Sequence, residues 1–272
     1  MKPVHILLLF IFVLASCSEI QLQQNYVPVS FETIIEIYPD FTPQKCLYSS
    51  TYKTAFVQEK GNNLIHIYKY GKRVNTIGGM GFDQVNFSNL SDITLAPDGS
   101  LLALDSFAKK IKKFDDEGKF ITEFSLNNFV EPVLFDVALD ETFYIYDRSR
   151  NEIVSTNLFT SADDFQFGSF QLLKTPSNLI LNNNQIIIND KENNVTLIFD
   201  NFGQKQTELT GYYQIQRQQK FLLEPYYIQH LQSESRFCIS VQKWRKFHQK
   251  NGFTILVGKS KILIGKLQYE IR

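Results

Sequence analysis

Three stretches of this chain are copies of one another, and that repetition limits the fold more than any other feature. Residues 86–124, 129–168 and 172–210 superimpose Asp105, Asp147 and Asp190, at steps of 42 and 43 residues. A fixed period of this length marks a repeat architecture, in which each unit buries its faces only against its neighbours. Every copy runs in the same order: a Pro or polar turn, a short apolar run, a tight turn, a second run ending in the shared Asp, a polar turn, a third run, a Gly-containing turn and a fourth run. In the first copy the turns are Pro97-Asp98-Gly99 and Asp115-Asp116-Glu117-Gly118, where Gly supplies positive φ and Pro presets the preceding dihedral.

The runs are rich in Ile, Val, Leu, Phe and Tyr and too short for ordinary helices. Ile93–Ala96, Leu101–Leu104, Phe143–Tyr146 and Ile186–Ile188 read as strands. Four short antiparallel strands per unit of this length make a propeller blade, so the fold class is all-β. A looser copy precedes the three, with Glu59 at the Asp position and Gly71 at that of Gly118. A degraded fifth copy runs from about Phe221 through Glu224-Pro225 to Arg236–Val241. Phe31–Ile37 reads as a lone strand placed to complete the last blade and close the ring. From Phe31 to the end there are about five and a half periods. The expectation is five recognisable blades, with a sixth absent or partial.

Around the shared Asp, an Asn and then an aliphatic residue recur. Asp147 is followed by Asn151 and Ile153, Asp190 by Asn193 and Val195, Asp105 by Lys110 and Ile111, and Glu59 by Asn63 and Leu64. Over residues 43–210 this resembles NHL repeats and the related six-bladed propeller lipoproteins of bacteria. The resemblance implies a propeller and says almost nothing about function. The pattern fades after residue 210, and Arg is scarce before the aliphatic position.

Residues 1–16 read as a signal peptide. Lys2 is followed by the apolar run Ile6–Leu14, too short to span a bilayer, and then by Leu14-Ala15-Ser16-Cys17. This resembles a bacterial lipobox, with Cys17 as the lipidated residue and 17–30 as a polar tether ahead of a propeller domain at 31–272. Several acyl chains on Cys17 give stable anchoring, since each buried CH₂ contributes about 0.8 kcal/mol. Ser18, rather than Asp, follows the Cys, which favours the outer membrane. The expected address is thus the bacterial cell envelope.

The formal net charge is zero, yet residues 83–208 carry 20 acidic and 10 basic side chains and residues 211–272 carry 11 basic and 3 acidic ones. Attraction between acidic blades and a basic last blade at ring closure is favoured over a polyanion site. An envelope location permits a disulfide. If the ring closes between the first and fifth blades, Cys46 and Cys238 come together; the competing reading is two small buried hydrophobes.

The Asp series is the first place to look for a site. Glu59, Asp105, Asp147 and Asp190 sit in turns on the face that carries the blade-to-blade connections, where side chains can line a central funnel and take a cation or a sugar. The competing reading, which is favoured, is that each carboxylate accepts amides of its own turn. His66, His230 and His248 show no metal-ligand spacing and no recognisable catalytic setting, and no P-loop, G-x-S-x-G or C-x-x-C motif occurs. No metal or cofactor is implied. Lys243, Trp244, Arg245 and Lys246 mix the chain's single Trp with bases and form a candidate glycan or anion patch; a strand with one packed face is the simpler reading. The expected function is a monomeric, lipid-anchored propeller that binds a protein or glycan of the envelope, with no nucleic acid partner. The alternative is a hydrolase or lyase in the funnel, with or without metal assistance.

Overall fold

The second strands of the first four repeats are buried on both sides, and this decides how the sheets meet. In Leu101–Asp105 all five residues are buried. Leu101 and Ala103 pack into a cluster with Leu47, Phe56 and Ile67, whereas Leu102 and Leu104 pack with Phe135, Phe143 and Ile145. Alternate residues of a strand face opposite ways, so a strand apolar at every position must lie between two cores. Phe143–Asp147 behaves alike, with Ile145 on one side and Tyr144 and Tyr146 on the other.

The computed structural model describes residues 26–81, 83–157, 162–182, 185–190, 193–211 and 252–271, together with the backbone of the strands between 213 and 250. The strands form six four-stranded antiparallel sheets. Five are cut from continuous stretches, as five repeats require. The first contains β2 (Pro43–Ser49), β3 (Thr54–Glu59), β4 (Leu64–Lys69) and β5 (Lys72–Gly78), and the second β6 (Leu90–Leu95), β7 (Leu101–Asp105), β8 (Lys110–Phe114) and β9 (Phe120–Ser125). The third contains β10 (Pro132–Val137), β11 (Phe143–Asp147), β12 (Glu152–Asn157) and β13 (Ala162–Phe167). The fourth contains β14 (Asn178–Asn182), β15 (Gln185–Asp190), β16 (Val195–Asp200) and β17 (Lys205–Thr210). The fifth contains β18 (Tyr213–Gln216), β19 (Gln219–Leu223), β20 (Tyr227–His230) and β21 (Arg236–Cys238), and so begins about eight residues before Phe221.

The remaining sheet is built from both ends of the chain. β22 (Lys246–Lys250), β23 (Phe253–Val257) and β24 (Ile262–Ile271) come from the end of the chain, and Tyr26–Ile37, the first strand (β1), pairs along β24 as their fourth member. Ile37 pairs with Ile262 and Tyr26 with Ile271. The strand therefore starts inside the expected tether of 17–30. Pro28 is tolerated because β1 is an edge strand, and the register shifts beside it. Joining the two ends of the chain in one sheet closes the propeller ring: this sheet touches β18 and β21 on one side and β2 on the other.

The cores lie between neighbouring sheets. Ile37, Ile255, Ile262 and Ile264 of the closing sheet pack with Cys46, Ala55 and Val57 of the first. Gly118 shows how close the sheets come. It adopts φ 87° in the β8–β9 turn, and a Cβ there would lie 2.6 Å from Ile67 Cδ1 of the preceding blade.

Candidate functional site

Asp105, Asp147 and Asp190 end the second strands of their blades with buried carboxylates. Asp105 accepts the amides of Ser88 (2.7 Å), Asn89 (3.0 Å) and Ala108 (3.0 Å). Asp147 accepts those of Val130 (2.6 Å), Glu131 (3.1 Å) and Ser149 (3.1 Å). Asp190 accepts the amides of Thr175 (2.9 Å) and Asn193 (3.0 Å) and the hydroxyl of Thr175. Each carboxylate thus holds its own turn and also the segment leading into the first strand of its blade. Burial works to raise the Asp190 pKa, but the hydrogen bonds from Asn193 and Thr175 together outweigh it and hold the carboxyl below its ordinary value.

The neighbouring Asn positions reach across to the next blade. Asn63 Nδ2 donates to the carbonyls of Phe87 and Ser88, and its Oδ1 accepts the Leu90 amide. Asn151 donates to the carbonyls of Ser169 and Leu173 and accepts the Tyr146 hydroxyl at 2.5 Å. Burial pushes that phenol up to about 12.

The innermost strands carry a second charged set that the sequence reading missed. Lys45 on β2 donates to Asp92 on β6 at 2.7 Å, and both are buried. The other Asp92 oxygen accepts the Phe135 amide of β10 at 3.2 Å. Asp136 on β10 accepts the Thr94 hydroxyl at 2.5 Å and the Leu181 amide of β14 at 2.9 Å. The inner edges of the third and fourth blades present backbone donors, and a carboxylate from the preceding blade meets one in each. Charge in otherwise apolar strands, at Asp92 and again at Asp136, was the available signal.

Glu59 departs from the Asp pattern. Its Oε2 meets His66 Nε2 at 2.9 Å and its Oε1 accepts Asn62 Nδ2 at 2.5 Å. His66 Nδ1 lies 3.0 Å from Thr76 Oγ1, and the ring stacks on Phe41 with centroids 3.9 Å apart. Lys112 holds the place in the second blade that His66 holds in the first. It sits over the Phe87 ring and donates to the Asn86 carbonyl at 2.6 Å. Burial lowers its pKa, against the raising influence of Asp105 and Glu123.

Cys46 is a free, wholly buried thiol, and burial pushes its pKa far above the usual thiol range. Cys46 thus follows the reading of a small buried hydrophobe rather than that of a pairing with Cys238. The full closing sheet stands between the first blade and the fifth, so Cys46 packs on Ile255 and Ile264 instead. Cys17, Lys243, Trp244 and Arg245 lie outside the described residues; Lys246 and Cys238 are described only as backbone. Among the described residues, no group of three or more His, Cys, Asp or Glu is arranged to hold a metal ion.

No protein-family model and no curated protein matches the sequence. Among solved structures, the chain is similar to a virginiamycin B lyase from Staphylococcus aureus, with a TM-score of 0.60 and 13% identity, covering 88% of this chain and 100% of that one. It is also similar to a streptogramin B lyase, with a TM-score of 0.55 and 15% identity, covering 88% of both chains. Raptor from Chaetomium thermophilum gives a TM-score of 0.59 at 9% identity, with 92% of this chain and 29% of that one covered. At these identities the likeness shows the fold alone. The chain is a β-propeller.

On this propeller the turns after the second strands and the blade-to-blade connections share one face. That face presents Phe107, 81% exposed, with Met80, Phe170, Tyr38 and Val130 also exposed. Phe107 stands two residues beyond the Asp105 carboxylate, so an exposed aromatic rests on a pinned turn.

Proposed function

We propose that this chain is an NHL-like lipoprotein of the bacterial cell envelope, acting as a monomer whose propeller binds a protein or glycan through the connection face. One observation carries the reading: Phe107, Met80 and Phe170 stand exposed on loops whose backbone the buried Asp105 and Asp147 carboxylates and the Asn63 and Asn151 amides fix. Large apolar side chains held in place and open to solvent lose little entropy on binding, which suits a partner's apolar pocket or the faces of sugars. The carboxylates of Asp105, Asp147 and Asp190 then serve the scaffold and not a ligand. Lipidation at Cys17 sets the address. Only residues 18–25 separate it from β1, so even fully extended the tether reaches roughly 26–29 Å from the membrane.

A photo-crosslinking residue at Phe107 or Phe170, in cells, tests the reading. Adducts are expected there and not at Leu139, which is 90% exposed in a turn between first and second strands, on the opposite face. Protease sensitivity of the adduct separates a protein partner from a glycan. Equal labelling of the two faces would contradict the binding reading. Membrane association unchanged by Cys17→Ala would remove the lipid anchor.

The fold likeness to the virginiamycin B lyase, over all of that chain, supports a second reading as a funnel lyase. Consumption of virginiamycin B by the purified chain, with or without an added divalent cation, would favour it over the binding module.

A further inference from the structure

The first blade breaks the clasp pattern and builds something else with the freed carboxylate. Where the second, third and fourth blades have Asp, Glu59 is one methylene longer, and its carboxylate reaches His66 Nε2 at 2.9 Å. A carboxylate accepts, so Nε2 carries the ring proton and neutral His66 turns the Nδ1 lone pair to the Thr76 hydroxyl, 3.0 Å away. The ring is buried beneath Phe41, stacked at an interplanar angle of 23°. Thr76 is exposed on β5, the outermost strand of the blade. Hydroxyl, imidazole and carboxylate are thus in line, with the hydroxyl outermost. A nucleophile touching a base that a third group orients is the arrangement that activates serine and threonine hydroxyls, whatever the fold.

Two neighbours support the geometry. Asn75 donates to the Glu117 carbonyl of the second blade at 2.7 Å and accepts the Thr76 amide at 2.8 Å, which fixes the strand beside the hydroxyl. Arg73 is held by Asp40 through two hydrogen bonds, at 2.9 and 3.1 Å.

We propose that Thr76 is a nucleophile activated by His66 and oriented through Glu59, and that this edge of the first blade accepts acyl groups from carboxylic esters. Thr76 Oγ1 bonds to the ester carbonyl carbon and its proton passes to His66 Nδ1. The C–O bond to the alcohol then breaks, and the alcohol leaves with that proton. Water repeats the sequence on the acyl-threonine, releasing the carboxylic acid and restoring the hydroxyl. The site adjoins the connection face at Glu59 and Phe41 but uses none of the exposed apolar side chains there, and it does not rest on the reading above.

A fluorophosphonate tests this on the full chain: the threonine oxygen bonds to phosphorus, fluoride leaves, and the proton goes to His66. The expected result is one label per chain, located at Thr76 by peptide mass spectrometry. His66→Gln should slow labelling by about 100-fold or more, since a positioned base contributes at least that much. Thr76→Ser should keep the label, and Thr76→Val should abolish it with melting unchanged. The labelling rate should rise with pH through a single ionisation that Glu59→Gln shifts. No label at Thr76, labelling of Thr122 at the same rate, or a rate indifferent to both His66→Gln and Glu59→Gln would overturn the proposal. If His66→Gln melts early, Glu59→Gln alone decides.

Discussion

Asp147 Oδ2 lies 2.6 Å from the Val130 amide, so one carboxylate ties the end of β11 to the segment that opens β10. The other oxygen, Oδ1, accepts the amides of Glu131, Ser149 and Arg150. Asp147→Ala leaves these donors unmet in a buried site. The expected loss is about 1–3 kcal/mol, the usual cost of unsatisfied buried donors. Urea unfolding measures it. Unchanged stability together with lost ligand binding would return Asp147 to the list of site residues.

The Lys45–Asp92 ion pair joins the inner strands of the first two blades in a buried setting. Removing one partner of a buried pair strands the other charge, so Lys45→Met should destabilise by about 3–5 kcal/mol. Asp92 also accepts the Phe135 and Ile93 amides. Asp92→Leu should therefore cost at least as much as Lys45→Met, and the double replacement should cost less than the two single losses combined. Equilibrium unfolding of the four proteins gives the coupling.

Acid should weaken the fourth blade through Asp190. Its folded pKa is held below the ordinary carboxyl value of 3.8, so the folded state binds that proton less readily than the unfolded chain does. The resulting stabilisation is fully present well above pH 4 and is lost as pH falls through the lower folded value. Asp190→Asn should remove this dependence. The difference in unfolding free energy between pH 7 and pH 3 should shrink in the variant, and an unaltered difference would contradict the clasp.

Gly118 and Gly61 separate backbone strain from blade contact. Both have positive φ, 87° and 81°. A Cβ on Gly61 meets nothing within 4 Å, whereas one on Gly118 meets Ile67 and Ile77 of the first blade. Gly61→Ala should cost about 1 kcal/mol for the left-handed backbone. Gly118→Ala should cost about 1–3 kcal/mol more, in the range of overpacking, as read by thermal melting. Equal losses would mean that the turn does not press on its neighbour.

The repeat made the propeller legible because strand alternation and turn chemistry are local. Leu101–Asp105 is apolar on both faces, and Phe31–Ile37 reads as a strand without any partner in view. What escaped depends on distance. Val130 is seventeen residues from Asp147, and Asp92 is 47 from Lys45, so these bonds exist only once blades stand side by side. The closing sheet carries little of the repeat's mark because β23 and β24 meet at Gly258-Lys259-Ser260-Lys261, where the shared Asp is missing. That same sheet removed the expected neighbourhood of Cys46 and Cys238. His66 looked ordinary in sequence because Thr76 becomes its partner only through the register of the β4–β5 hairpin.

Everything on the connection face depends on a ring that the amino-terminal strand completes. The direct measurement is urea unfolding of a chain lacking residues 26–37, compared with the intact domain. Without β1, the closing sheet loses the strand that pairs Ile37 with Ile262 through Tyr26 with Ile271, and Ile37 no longer covers Cys46 and Val57. The shortened chain should lose its cooperative transition and bind a hydrophobic dye in native buffer. A shortened chain that unfolds at the same urea concentration and as steeply as the intact one would contradict ring closure by β1.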